Sequence, residues 1–364
     1  MIIPTGRLLR YFDWLWFLAL LALASTGLTA IWSITYGTDT QSYFDKQIIY
    51  ICCGLVLFFA MQCFDYRLLS DYIVVIYIGS IVFLCLVFFF GHGVRGNVHW
   101  LKLGTVVVQP SEFAKIGAII ALAKYYADLD SDYLELKELA RGAAIIMVPA
   151  ALVLFQGDLG TAITFIPIYI AISSLAGVRR KHIVAILLIA IVSVPAAWPM
   201  MRPHQKERIE TIIDPYKDPH RVGYHSIQSM VAIGSGQFWG KGLKQGSQGQ
   251  LGFLPANHTD FIFAVLAEEK GFVGGITILG LFLFVLSRLF RTICDARDKI
   301  GAMIVSGGAA MIFCHVAINI AMVFGVFPVI GIPLPFVSAG GSSLVTCFIV
   351  MGISMNVRIR RYVN

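Results

Sequence analysis

The chain has 364 residues, 58% of them hydrophobic and only 13% charged, with a formal net charge of +7 and a mean hydropathy of +0.78. An ordinary soluble domain carries about 25% charged residues, so this chain cannot cover itself with polar surface, and its main solvent is lipid. That excludes a soluble enzyme. The cationic excess is spread over connections between apolar runs, and no nucleic acid is expected as a partner.

Apolar runs of roughly 17–25 residues, long enough to cross about 30 Å of hydrocarbon as a helix, recur along the whole sequence. About ten are expected, near Trp14–Ile34, Gln47–Phe64, Tyr72–Phe90, Phe113–Tyr126, Ala140–Phe155, Leu159–Gly177, Ile183–Met200, Asp260–Ser287, Gly301–Phe324 and Ser338–Val357. The fourth is short and the eighth long. None alternates in polarity as barrel strands do, so the expected fold is an all-α integral membrane protein in a single polytopic domain, residues 1–364.

Orientation follows from Lys and Arg in the short loops. With the N-terminus inside, that side receives Arg7, Arg10, Arg67, Lys124, Lys137, Arg141, Arg179, Arg180, Lys181, Arg288, Arg291, Arg297, Lys299, Arg358, Arg360 and Arg361. The opposite short loops hold little more than Lys46, Arg95 and Lys102. Both termini are expected in the cytoplasm. Arg7 and Arg10 resemble the start of a signal peptide, but the apolar run continues past the small residues at 24–27, which favours an uncleaved first span. The seven cysteines lack metal-like spacing and read as small buried apolar residues.

One large extracytoplasmic loop, about 201–259, separates the seventh and eighth spans. It carries Arg202, Lys206, Arg208, Lys217, Arg221, Lys241 and Lys244 against Glu207, Glu210, Asp214 and Asp218. Such a basic loop suits either a phosphate-bearing ligand or acidic membrane headgroups. Its Gly-rich stretch IGSGQFWGKG (233–242) lacks the strand-then-helix context of a nucleotide loop, which argues against an ATP site.

Charges within spans are costly and usually pair or act in a protein cavity. Asp260, at the outer mouth of the eighth span beside His258 and Thr259, is the first candidate. A plain alternative is a first-turn acid favoured by the helix dipole, with Thr259 as its cap. Glu268 and Glu269, two turns deeper and followed by Lys270, point away from Asp260 and suit internal pairing. Glu112 and Lys115, three apart after Pro110 and Ser111, share a helix face and suit an ion pair. A functional version of that pair would line the cavity of Asp260. Asp158, in FQGDLGTA, suits a helix cap. Ser338, Gly340 and Gly341, in PLPFVSAGGSS, open the last span, where free N–H groups would hold an anion or small residues would pack helices closely.

Taken together, Trp100, QPSEFAK at 109–115, GDLGTA at 157–162, GYHSIQSMVAIGSG at 223–236, HTDFIFAVLAEEKGFVG at 258–274 and GIPLPFVSAGGSSL at 331–344 resemble the SEDS family (shape, elongation, division and sporulation) of bacterial cell-wall proteins, on its elongation side. The match covers nearly the whole chain. His99, Gly157 and Ala339 stand where Arg, Pro and an aromatic residue are usual. The resemblance implies a ten-span fold in the bacterial inner membrane, and polymerisation of lipid II into glycan strands at its periplasmic face. Asp260 is then the catalytic residue, with Glu112, Lys115, Trp100, His258, Thr259, Gln228, Ser229, Asp158, Ser338, Gly340 and Gly341 as candidate substrate or cavity residues. Lipid II, an undecaprenyl-linked glycan strand, membrane lipids, a class B penicillin-binding protein and other elongation-complex proteins are the expected partners. No cofactor is firmly expected, and a divalent cation, Mg or Mn, is left open.

The leaving group of that reaction is a stable diphosphate, so one carboxylate suffices as general base and charge neutralisation replaces an acid. A flippase for lipid-linked precursor and a non-catalytic scaffold remain the alternatives.

Overall fold

The computed structural model describes residues 10–361 except 39, 95–96, 105, 130–132 and most of 180–221. Its helices are α1 (Trp14–Thr35), α2 (Ser42–Cys63), α3 (Tyr66–Asp71), α4 (Ile73–Phe90), α5 (Pro110–Ala127), α6 (Leu136–Phe155), α7 (Leu159–Ile163), α8 (Phe165–Leu175), α9 (Val222–Ser235), α10 (Ser247–Gln250), α11 (Ile262–Asp295), α12 (Lys299–Val323) and α13 (Gly341–Arg360). Seven of them, α1, α2, α4, α6, α11, α12 and α13, are long and apolar enough to cross a membrane. These match the first, second, third, fifth, eighth, ninth and tenth expected spans.

The fourth and sixth expected spans are helical but differ in kind. α5 carries Glu112, Lys115 and Lys124 within 18 residues, which lowers its hydropathy. The sixth is divided at Thr164 into α7 and α8. The seventh, Ile183–Met200, and the start of the external loop, 201–221, lie largely outside the described residues. An all-α fold also omits a small antiparallel meander, β1 (His92–Val94), β2 (Asn97–Leu103) and β3 (Val106–Val108), in which Leu101 faces Val108. Its β-branched run suits strands better than helix.

Burial sorts the helices. α13 has 83% of its apolar window inside the protein and is central, packed along α2 and against α5 and α12, whereas α4 has 11% and forms the rim. The side chains of α4 are apolar all round, as a lipid-facing helix requires. Cys314 and Cys347 are buried, but Cys52, Cys53, Cys63 and Cys294 face outward and Cys85 is half-buried, so most of the thiols serve as lipid-facing apolar groups and not as core.

α11 is broken at Gly271, where φ is 66° and ψ −165°. A break at membrane depth must have its freed backbone groups re-bonded by protein, and the Gly-rich stretch does this. Phe272 and Val273 donate their N–H groups to the carbonyls of Gln237 and Phe238 at 2.9 and 3.2 Å. Lys241 and Gly242 return N–H bonds to the carbonyls of Glu268 and Glu269, both at 3.0 Å. The approach is so close that a Cβ on Gly240 would sit 2.2 Å from Glu269 O, and one on Gly271 2.3 Å from Gly240 N. Glu268 and Glu269 pair internally as expected, though with the loop and α1 and not with Lys270. Glu268 accepts from Lys241 Nζ at 2.7 Å, from the Gln248 and Gly249 amides at 3.1 and 3.3 Å, and from Ser247 at 3.2 Å. Glu269 accepts from Ser33 and from Lys244 N.

At the end of the bundle where the described residues begin and stop, aspartates bind arginines from other segments. Asp13 caps α1 and meets Arg358 at 3.1 Å and Arg288 at 3.6 Å. Asp298 caps α12 and meets Arg67 at 2.9 Å, with Tyr66 at 2.8 Å. Asp65 meets Arg360 at 3.0 Å, and Asp295 meets Arg361.

Candidate active site

Asp260 lies two residues ahead of α11, which starts at Ile262 with Phe261 at its N-cap and no side-chain cap. It is therefore not a first-turn dipole acid, and Thr259 does not cap the helix. The Thr259 hydroxyl instead donates back to Ala256 O at 3.3 Å. The N–H groups of Thr259, Asp260 and Phe261 converge on the same carbonyl at 3.1, 3.1 and 3.3 Å. Ala256 itself adopts φ 53°, a left-handed conformation costing a non-glycine residue roughly 1–3 kcal/mol. Such a turn persists only where its surroundings hold it.

The segment 331–339 supplies that support. Ser338 Oγ donates to Thr259 O at 2.5 Å and accepts from Leu334 N at 2.9 Å, while Ala339 N donates to His258 O at 2.8 Å. Gln47 on α2 holds Ser338 O at 3.1 Å. Asn319 on α12 donates to Asp260 O at 2.9 Å and to Ile332 O at 2.8 Å. Each of these bonds grips backbone, so they hold the turn through its main chain. Asp260 is half-buried, and Gly331 lies against it, where a Cβ would stand 3.6 Å from Oδ2. His258 packs against Tyr43 with ring centroids 4.2 Å apart and the planes tilted by 37°, and burial pushes its imidazole below the ordinary 6.5.

Three of the sequence motifs meet beside this turn. Asp158 caps α7 as expected, accepting from Thr161 N at 2.9 Å, and binds Gln109 Nε2 at 2.8 Å. Gln109 N donates to Ser342 Oγ at 2.9 Å. Gly160 packs under Ile330 O. Gly340 is the N-cap of α13 and lies near Pro333, while Gly341 packs on the Tyr50 ring. Close packing thus accounts for Gly341.

Glu112 and Lys115 form the expected pair at 2.8 Å, in the first turns of α5 behind Pro110. Both are sealed inside the bundle and do not line an open cleft, because α12 and α13 close over them. Lys115 Nζ also lies 3.0 Å from His315 Nε2. Ser229 on α9 donates to Val323 O at 2.8 Å and ties that helix to the end of α12. Gln228 is half-buried beside it, and Trp100 is half-buried on β2, its ring 5.6 Å from that of His99. His315, Asn319, Gln109 and Gln47 are absent from the sequence candidates. A histidine and an asparagine four apart in the apolar ninth span, a costly pattern in lipid, were the available signal for the first two.

The sequence profile of the FtsW/RodA/SpoVE family, described as cell cycle protein, matches residues 7–362. The chain belongs to this family. Among its relatives in the FtsW/RodA/SpoVE family is the peptidoglycan glycosyltransferase MrdB of Escherichia coli K12, 38% identical over 346 residues that cover 94% of this chain and 92% of MrdB. The peptidoglycan glycosyltransferase RodA of Treponema pallidum is 31% identical, covering 96% of this chain and 98% of its own. A solved chain from a peptidoglycan synthase complex that coordinates polymerization and crosslinking superposes with a TM-score of 0.83 at 29% identity, over 97% of this chain and 99% of that one. The resemblance read from the motifs is thereby established along the full length of the fold.

Proposed function

We propose that this chain is a peptidoglycan glycosyltransferase that polymerises lipid II into glycan strands during cell elongation. Its relatives' activity supports the reaction class, and the placement of Asp260 carries the assignment of the base. That carboxylate is half-buried, in a turn gripped through its main-chain carbonyls by Asn319, Ser338 and Ala339.

Asp260 takes the proton from the acceptor sugar hydroxyl of lipid II as that oxygen attacks the anomeric carbon of the lipid-linked strand, with inversion. Undecaprenyl diphosphate leaves as an already stable anion. General-base action contributes about 10²–10⁴-fold, and orientation of the two lipid-linked sugars supplies much of the remainder. Lys115 is too deeply sealed to meet the departing diphosphate, so the basic residues of the external loop, Arg202 to Arg221 in sequence, are assigned that charge. A divalent cation, Mg or Mn, if used, would be held by Asp260 and would supply charge neutralisation for the leaving diphosphate, and polymer yield with and without a chelator tests it.

Arginines 67, 288, 358, 360 and 361 gather at one end of the bundle, which by the positive-inside rule supports a cytoplasmic location for that end. The protein then sits in the inner membrane with Asp260 facing the periplasm. The relative found in a synthase complex supports a class B penicillin-binding protein as partner.

The broken α11 is the observation that favours a lipid-precursor transporter, since such helices carry transported substrates. Here residues 237–242 already bond to the groups freed at the break. Incubating the purified protein in liposomes with lipid II separates the two activities. Glycan polymer supports the polymerase, whereas lipid II translocation without polymer would overturn it.

A further inference from the structure

Lys115 has no exposed surface, and its ammonium has three hydrogens to donate and no lone pair. One hydrogen goes to Glu112 Oε1 at 2.8 Å, and His315 Nε2 lies 3.0 Å from the same nitrogen. An ammonium only donates, so Nε2 must be the acceptor. His315 is therefore neutral, with its proton on Nδ1. An imidazolium there would bury two cations against one carboxylate.

That tautomer leaves Nδ1 buried without a partner, as Glu112 Oε2 also is. An unmatched buried donor is costly, and an apolar side chain would avoid the cost, so the bond at Nε2 is what the histidine contributes. Asn319 stands four residues further along α12, one turn away on the same face. It is fully buried, and its amide donates to both Asp260 O and Ile332 O. A single turn of α12 thus joins the ion pair on α5 to the main chain of Asp260.

We propose that His315 is a positioning residue for glycosyl transfer. By accepting one hydrogen of Lys115 it fixes α12 against α5 at this level, and through Asn319 it fixes the turn that carries Asp260. Losing the Nε2 acceptor frees Lys115 to turn wholly to Glu112, whose Oε2 is open to it, and α12 loses its tie beside the anchor of Asp260. Neither His315 nor Asn319 is assigned a contact with substrate, so the effect falls on kcat and spares KM. The proposal rests on Asp260 being the base.

The test is lipid II polymerisation by purified His315→Phe, His315→Gln and His315→Asn proteins, each checked for folding by its thermal unfolding midpoint. Phe keeps the ring volume and removes the acceptor, and a lapse in positioning of about 1 Å costs up to about 10²-fold in kcat. The Gln amide oxygen reaches the place of Nε2 and should recover about tenfold of that loss, whereas the shorter Asn does not reach Lys115. Should the Phe variant fail to fold, the Gln-to-Asn ratio of kcat decides alone. Wild-type kcat in folded His315→Phe, equal rates for Gln and Asn, or a loss confined to KM would each overturn the proposal. Asp260→Asn, assayed in parallel, separates the two failures. Inactive Asp260→Asn alongside a full-rate His315→Phe sinks only the positioning role, while active Asp260→Asn removes the base assignment and the proposal with it.

Discussion

At one end of the bundle, Asp13, Asp65, Asp295 and Asp298 each bind an arginine from another segment; at the opposite end, the turn of Asp260 is held by Asn319, Ser338 and Ala339 through its carbonyls. In the first region the carboxylates are the scaffold. In the second the bonds grip the main chain of the turn that carries the carboxylate. The two ends are therefore held in different ways, and substitutions should tell them apart.

The largest stability effect is expected between the two ends, at the sealed pair. Lys115→Met leaves Glu112 buried without its counter-charge, at a cost of roughly 3–5 kcal/mol, and should appear as a marked fall in the thermal unfolding midpoint. An unchanged midpoint would show that Glu112 finds another partner or water. Asp298→Ala removes the cap of α12 and a partly exposed ion pair with Arg67. Caps contribute about 1 kcal/mol and exposed pairs about 0–1, so the midpoint should fall modestly while kcat of polymerisation holds. A loss of kcat at constant midpoint would erase the distinction between the ends.

A smaller effect concerns His258. Burial holds its folded value below 6.5, so as pH falls the unfolded chain takes up the proton first. Its contribution is full above 6.5 and is lost as pH drops toward the folded value. The unfolding midpoint should therefore decline as the pH is lowered through 6.5, and His258→Gln should flatten that decline. An identical slope in both proteins would place the titrating group elsewhere.

Seven of the ten expected spans were legible because lipid imposes one requirement, a long apolar run, that composition alone reveals. The Asp158 cap and the Glu112–Lys115 pair were legible because charge near or inside such a run needs a reason. What escaped was neutral. Asn319 and Gln47 act by gripping carbonyls brought close only by folding, and no spacing in the sequence announces which carbonyl. The repair of broken α11 by residues 237–242 escaped for the same reason, since glycines signal only that backbones approach closely, not which backbones. His315 lay in plain view within the ninth span, but its bond to Lys115 joins residues 200 apart.

The most direct test of the central claim compares wild type with Asp260→Asn in one preparation, measuring glycan polymer from lipid II and the thermal unfolding midpoint together. Because the turn is held through main-chain carbonyls, the midpoint should stay near that of the wild type while polymer disappears. Polymer at the wild-type rate would contradict the account, and so would a collapse of the midpoint, which would return Asp260 to the scaffold.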